Sequence, residues 1–272
     1  MSKKSQSSRT GLLAYAIFYL AFLYVPVLFL PLFSFNDSVF IAFPLTGFTT
    51  QWYAQMLADG AMLHALGNSL EVGSATAIFS TMLGLLAAKA LTRYRVPGGG
   101  AVLAFTSLPL FIPDIVLGIS LLILLNAVSI PLSLLTVIAG HSLICVPFAI
   151  TVLMSRFEGF DKSLEEASLD LGENAWMTFW RVTFPLALPG IISSLLLTFI
   201  VSFDEFLIAY FLAGNEATLP IYIWGQLRFP YKLPAVLALG ALILVASTVL
   251  VVFAEWMRSR GLEDRKHTMV GA

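Results

Sequence analysis

Six apolar runs occupy most of this chain, and each is long enough as a helix to cross about 30 Å of hydrocarbon. They are Leu12 to Phe33, Leu66 to Leu91, Ala101 to Leu125, Leu134 to Leu153, Gly190 to Leu212 and Ala235 to Met257. Only 11% of the residues are charged and 58% are hydrophobic, against roughly 25% charged in soluble globular domains. The expected fold class is therefore all-α, a polytopic membrane protein with six transmembrane helices.

Where the basic residues fall sets the orientation, because the overall charge of −1 says little about a membrane protein. Lys3, Lys4, Arg9, Lys89, Arg93, Arg95, Arg156, Lys162, Arg181, Arg258, Arg260, Arg265 and Lys266 flank alternate ends of the spans, and only Arg228 and Lys232 lie opposite. The positive-inside rule then puts both termini, the turn from Arg93 to Gly100 and the segment from Arg156 to Leu188 in the cytoplasm. The loops Ser34 to Ala65, Asn126 to Ser133 and Ala213 to Pro234 face outward. Tyr24, Tyr94, Trp224 and Trp256 suit the interfacial aromatic belts. The first apolar run reads as a retained span, since it is longer than a signal-peptide core and no small-residue cleavage site ends it. The expected layout is a cytoplasmic tail over 1–10, a membrane domain over 11–258 with a cytoplasmic coupling loop over 155–189, and a second tail over 259–272.

The longest cytoplasmic excursion carries the densest local signals. Ser163-Leu164-Glu165-Glu166 has the pattern of a capping box, with Ser163 and Glu166 satisfying each other's backbone donors. Leu164, Ala167, Ser168 and Leu171 fall on one face of the helix that starts there, and Gly172 is its stop. Asn174 is placed to cap a second short helix through Trp176 and Trp180, which Pro185 and Pro189 close before the fifth span. Two roles are open to this amphipathic hairpin: lying on the membrane surface, or docking a partner.

Glu166-Ala167-Ser168, three residues, Gly172, nine residues, then Val182-Thr183-Phe184-Pro185 resembles the EAA loop of binding-protein-dependent ABC importer permeases. In that family the pattern is Glu-Ala-Ala, three residues, Gly, nine residues, Ile-x-Leu-Pro; here Ser168, Val182 and Phe184 depart from it conservatively. The resemblance implies a type I ABC importer transmembrane domain whose loop sits in a cleft of an ATPase subunit, with Glu166, Ala167, Gly172 and Pro185 in the coupling element. Asn68-Ser69-Leu70, Gly84 and Ala87-Ala88 are also similar to that family. Leu108 to Asp114, Glu165 to Gly172 and Ser202-Phe203-Asp204-Glu205 resemble, more narrowly, the second permease subunit of spermidine/putrescine importers. That subfamily usually carries two aspartates where this chain has Asp204 and Glu205.

A carboxylate within hydrocarbon costs on the order of 2.5 to 3.5 kcal/mol on insertion scales, so an acid there needs a partner, a proton or a wet path. Counted along straight spans, Asp114 stands about 20 Å and Asp204 about 21 Å from the cytoplasmic ends of the third and fifth runs. That counting puts both acids in one layer nearer the outside, the candidate cation path. Pro109 and Pro113 should break the third span just before Asp114 and free carbonyls there. Asp114 has a second, local role open to it, capping the half-helix that follows. Asp204 and Glu205 have the alternative of pairing with a cation on another subunit, and only one of the two need face the path, with Asp204 preferred. Glu71 reads as solvated near the outer interface, and His64 and His141 as isolated and structural, with no metal-ligand spacing.

The first outer loop holds Phe35, Phe43, Phe48, Trp52 and Tyr53, suited either to anchoring a partner or to packing on the outer span ends, with Trp52 also a candidate cation contact. The lone Cys145 sits in an apolar run as a packing residue, so no disulfide is expected. No Gly-rich loop ends in Gly-Lys-Ser or Gly-Lys-Thr, so ATP falls to a partner and the chain itself needs no cofactor and is no enzyme. The resemblance implies a second homologous permease, two ATP-binding cassette ATPase subunits, an extracytoplasmic solute-binding protein, a small cationic substrate and membrane lipid as partners, no nucleic acid, and a place in the bacterial cytoplasmic (inner) membrane. Rival readings are an importer for another small cation or an amino-acid-like solute, an ion-coupled secondary carrier in which the acids relay ions, and a membrane-anchored scaffold.

Overall fold

The computed structural model describes residues 3–94 and 96–249, with side chains from Gly11 onward. Trp256, Arg95, Arg258, Arg260, Arg265, Lys266, the end of the sixth run and the 259–272 tail lie outside the described residues. Every regular element among those described is helical. In chain order they are α1 (Lys3–Ser34), α2 (Gln51–Ala58), α3 (Gly60–Arg93), α4 (Gly99–Ser107), α5 (Asp114–Ala127), α6 (Leu134–Glu158), α7 (Ser163–Asp170), α8 (Ala175–Thr178), α9 (Phe184–Asp204), α10 (Leu207–Leu212) and α11 (Leu219–Gln226). A last helix, α12, covers Pro230–Val249. Five helical stretches are long and apolar enough to cross a membrane, and α4 with α5 makes a sixth if that bent pair is one span.

Two of the expected spans are not continuous helices. The third bends by 101° between Phe111 and Asp114, where Pro109 and Pro113 remove two backbone donors and Ile112 turns extended. The straight-span counting that placed Asp114 therefore does not apply. The fifth run stops at Asp204, Glu205 is extended, and the chain restarts as α10. Conversely, Pro185 and Pro189 do not close a helix before the fifth span. A π-turn over Phe179–Thr183 takes up the register, with the Phe184 N–H reaching Phe179 O, so the helix runs on past both prolines.

The chain divides into two compact units, residues 1–60 with 225–272 and residues 61–224. In the first, α1 is exposed along its apolar length, with Leu12, Phe18 and Phe22 each about two-thirds open, as suits a helix whose neighbour is lipid. Beyond it Asn36 organises the loop: its Oδ1 accepts from Thr46 N (2.9 Å), and its carbonyl accepts from Trp52 Nε1 (2.8 Å).

In the second unit, α3, α5, α6 and α10 share a core of Val72, Leu117, Val137, Ile144, Ile208 and Leu212, while α3, α6 and α9 meet at Ala88, Leu153, Phe157, Ala187 and Ile191. Small residues set these distances, as between helices in lipid. A Cβ on Gly118 of α5 would stand 2.8 Å from Phe211 Cδ2 and 3.4 Å from Leu207 O of α10, so any larger residue requires the Phe211 ring to shift. The start of α6 is closed by a capping box of Ser133 and Thr136, and Thr136 Oγ1 also donates to Leu212 O (2.8 Å), tying α6 to the end of α10. Gly118→Val should destabilise the protein by about 1–3 kcal/mol through overpacking, read as a lower unfolding midpoint in detergent. Gly67→Val on α3, where a Cβ meets open space, should stay within about 0.5 kcal/mol.

Candidate functional site

Breaks in the two spans bring acids together. Asp114 is the first residue of α5, following Pro113 at the N-cap, so it stands inside the first turn and not at the capping position. Glu205 does cap: its Oε1 accepts from Ile208 N at 2.9 Å, opening α10. Because α5 and α10 pack against each other through Gly118, the Glu205 and Asp114 carboxylates lie close enough for their charges to interact. Asp204 ends α9 and is exposed. Among the described residues neither Asp114 nor Asp204 has a hydrogen-bond or ion-pair partner. Both helix starts carry the partial positive charge of their unpaired N–H groups, which favours a carboxylate.

Side chains that the sequence left as structural support this site. His141 of α6 is fully buried, and its Nδ1 lies 2.8 Å from Ser202 Oγ, two residues before Asp204. Cys145, one turn on, donates to Thr198 O (3.6 Å) and is within reach of the Glu205 charge. The four-residue spacing of His141 with Cys145, and of Ser194, Thr198 and Ser202, was the available signal: small polar residues recurring on one face of an apolar helix. Trp52, by contrast, is 5% exposed with its N–H satisfied by Asn36, a packing role within its own unit. Phe48 and Phe40 of the same loop stand open.

The second feature is the hairpin of α7 and α8. Asp161 Oδ1 accepts from Ser163 N (3.0 Å), so the helix start is capped from Asp161 and not by the expected Ser163–Glu166 box. That backbone bond holds the exposed Asp161 carboxyl below its ordinary value. At the other end Gly172 takes φ +93°, with Gly172 N donating to Leu169 O and Glu173 N to Ser168 O, a Schellman stop as the sequence foretold. Asn174 caps α8 as expected, accepting from Met177 N (2.9 Å). Ser168 turns inward to Thr178 Oγ1 (3.0 Å), which leaves Glu166 and Ala167 exposed together with Leu164 and, at 88% exposure, Leu171. Pro185 lies exposed in the first turn of α9.

Broken apolar helices with acids at the breaks are the architecture of a polytopic membrane protein built to pass a solute. Residues 80–260 match the family described as the inner membrane component of binding-protein-dependent transport systems, and the chain belongs to that family. It is 34% identical over 252 residues to the putrescine transport system permease protein PotI of Escherichia coli, covering 90% of this chain and 89% of that one. The spermidine/putrescine transport system permease protein PotC of Escherichia coli is 34% identical over 236 residues, 86% of this chain and 89% of that one. A chain of a bacterial ABC transporter that imports the acidic polysaccharide alginate shares the fold, with TM-score 0.73 at 16% identity over 93% of this chain and 97% of the other.

With Cys145→Ala as background, the pair Asp114→Cys and Glu205→Cys should be bridged by a short bifunctional thiol reagent. Asp114→Cys with Glu158→Cys, about 20 Å along α6 from residue 145, should not. Mass spectrometry of the treated protein reads both, and an unbridged first pair would refute the juxtaposition.

Proposed function

We propose that this chain is a permease subunit of an ATP-driven importer that carries polyamines, putrescine or spermidine, across a bacterial inner membrane. Six spans, with α4 and α5 forming one of them and both termini cytoplasmic, agree with the distribution of Lys and Arg. The second permease, two ATPase subunits and an outer binding protein complete the assembly, with α7 meeting an ATPase and the open Phe40 and Phe48 meeting the binding protein. ATP is bound by the ATPase subunits. The observation that carries the reading is the set of acids at the breaks of two apolar helices, Asp114, Glu205 and Asp204, the last without a partner among the described residues.

In a broken span a bare half-helix N-terminus favours an anionic group of the solute. Here the chain's own carboxylates stand at both, Glu205 bonded to Ile208 N and Asp114 in the first turn of α5, so what the site attracts is a cation. An importer of an acidic polysaccharide has the same fold, so the choice of solute rests on side chains at the site and not on architecture. Transport follows by alternating access: ATP closes the ATPase dimer, α7 moves with it, and the helices carrying the acids open to the outside. Hydrolysis reverses this, and the acids must hold the cation weakly enough to release it.

Cells carrying the whole operon should take up radiolabelled putrescine or spermidine, and Asp204→Asn at normal membrane level should cut that uptake by roughly tenfold or more, the loss of one charge-assisted contact of about 1.5–3 kcal/mol. No uptake with the native chain would refute the polyamine assignment. Gly172→Val should leave ATP hydrolysis running while uptake collapses. Its Cβ meets open space, but a φ of +93° costs a side chain about 1–2 kcal/mol and distorts the end of α7. Normal uptake in that variant would count against docking through α7.

A further inference from the structure

Glu165, one residue before the motif glutamate Glu166, points the other way. Its side chain is 14% exposed and joins three helices. From its place on α7, Oε1 accepts from Thr183 Oγ1 at 2.6 Å, and Thr183 is fully buried in the π-turn that leads into α9. Oε2 lies 3.4 Å from Arg93 Nε at the end of α3, and the Arg93 side chain is only 7% exposed. Arg93 is itself fixed, donating from Nη2 to Phe160 O (3.2 Å) and lying over the Phe160 ring at 4.5 Å, just beyond the end of α6. The Nε contact with Glu165 is a charge contact without an aligned hydrogen bond, since that N–H has no hydrogen-bond partner. The joint is thus firm on the α9 side and has slack on the α3 side.

Resting on the reading of this chain as a permease moved through α7, we infer that Glu165 is the positioning residue that transmits motion of α7 to α3 and α9 together. A carboxylate so enclosed is held by these two contacts, with the Lys89 charge also in reach, and removing the carboxylate leaves the buried Arg93 guanidinium without its nearest counter-charge. Pushing α7 therefore displaces Arg93 and Thr183 in the same stroke. α9 ends at Asp204, and α3 at its other end holds Asn68 and Ser69, which bind Ala217 O (2.9 Å) and Leu219 N (2.8 Å) beyond α10. Both helices reach from the loop hairpin to the region of the acids.

The test uses the purified four-part transporter in proteoliposomes with its binding protein, comparing native chain, Glu165→Ala, Glu165→Gln, Thr183→Val and Arg93→Ala. Putrescine taken up per ATP hydrolysed should fall by roughly five- to 150-fold in Glu165→Ala, the span of ordinary coupling energies. Glu165→Gln, whose amide oxygen can still accept from Thr183, should lose less. Arg93→Ala combined with Glu165→Ala should be no worse than the more impaired single change, because both cut one connection. A solute-independent readout is the rate at which a charged thiol reagent modifies Tyr210→Cys on the exposed face of α10. ATP should change that rate in the native background and not with Glu165→Ala. Unchanged uptake per ATP together with an intact ATP response in Glu165→Ala would overturn the inference, as would loss of the ATPase subunit from that complex, which would make Glu165 a docking residue. A native complex with the ATP response but no putrescine uptake would instead refute the solute and leave the joint supported.

Discussion

A carboxylate inside a membrane protein has to be met by opposite charge, by water or by backbone dipoles, and in this chain the backbone dipoles are supplied by breaking two helices. Asp114 stands in the first turn of α5, at its positive end, and Glu205 accepts from Ile208 N where α10 begins. The rest of the arrangement follows. Proline at 109 and 113 is tolerated because the helix has to stop there, Gly118 is small because the two half-helices must lie in contact, and Thr136 fastens the far end of α10 to α6.

At the other end of the same helices the problem is mechanical. The loop hairpin turns one face of α7 inward through Glu165 and Ser168 and presents the other, with Leu164, Ala167 and Leu171, to the outside. Adjacent glutamates thereby take separate tasks: Glu165 is enclosed by Arg93 and Thr183, while Glu166 is open. The neighbouring Arg181 pairs with Glu173 and steadies the turn between α7 and α8.

The helical class, the elements of the loop hairpin, its glycine stop and the Asn174 cap were legible in sequence because each is a local signal within a few residues. The proline break was legible too, but its 101° angle was not, since bond geometry at a break depends on what packs around it. Counting residues along a straight span placed Asp114 and Asp204 in one layer. In the structure the third span bends just before Asp114, and the fifth helix ends at Asp204, where the next residue, Glu205, turns to cap α10. The capping box at Ser163 failed by competition: Asp161 reaches the same N–H first. Nothing local foretold that Arg93 pairs with Glu165, or His141 with Ser202, since those partners are far apart in sequence.

Among the described residues Leu171 is the most exposed of the large apolar side chains, at 88%, at the C-terminal cap of a loop helix that has no lipid-length run to shelter it. A leucine displayed on so short a helix is a handle for whatever binds greasy surface first, be it the right subunit, a chaperone or a protease. In the proposed assembly the lifetime of a newly made copy follows how soon that handle is covered, so that the abundance of this chain tracks the supply of the subunit that covers it.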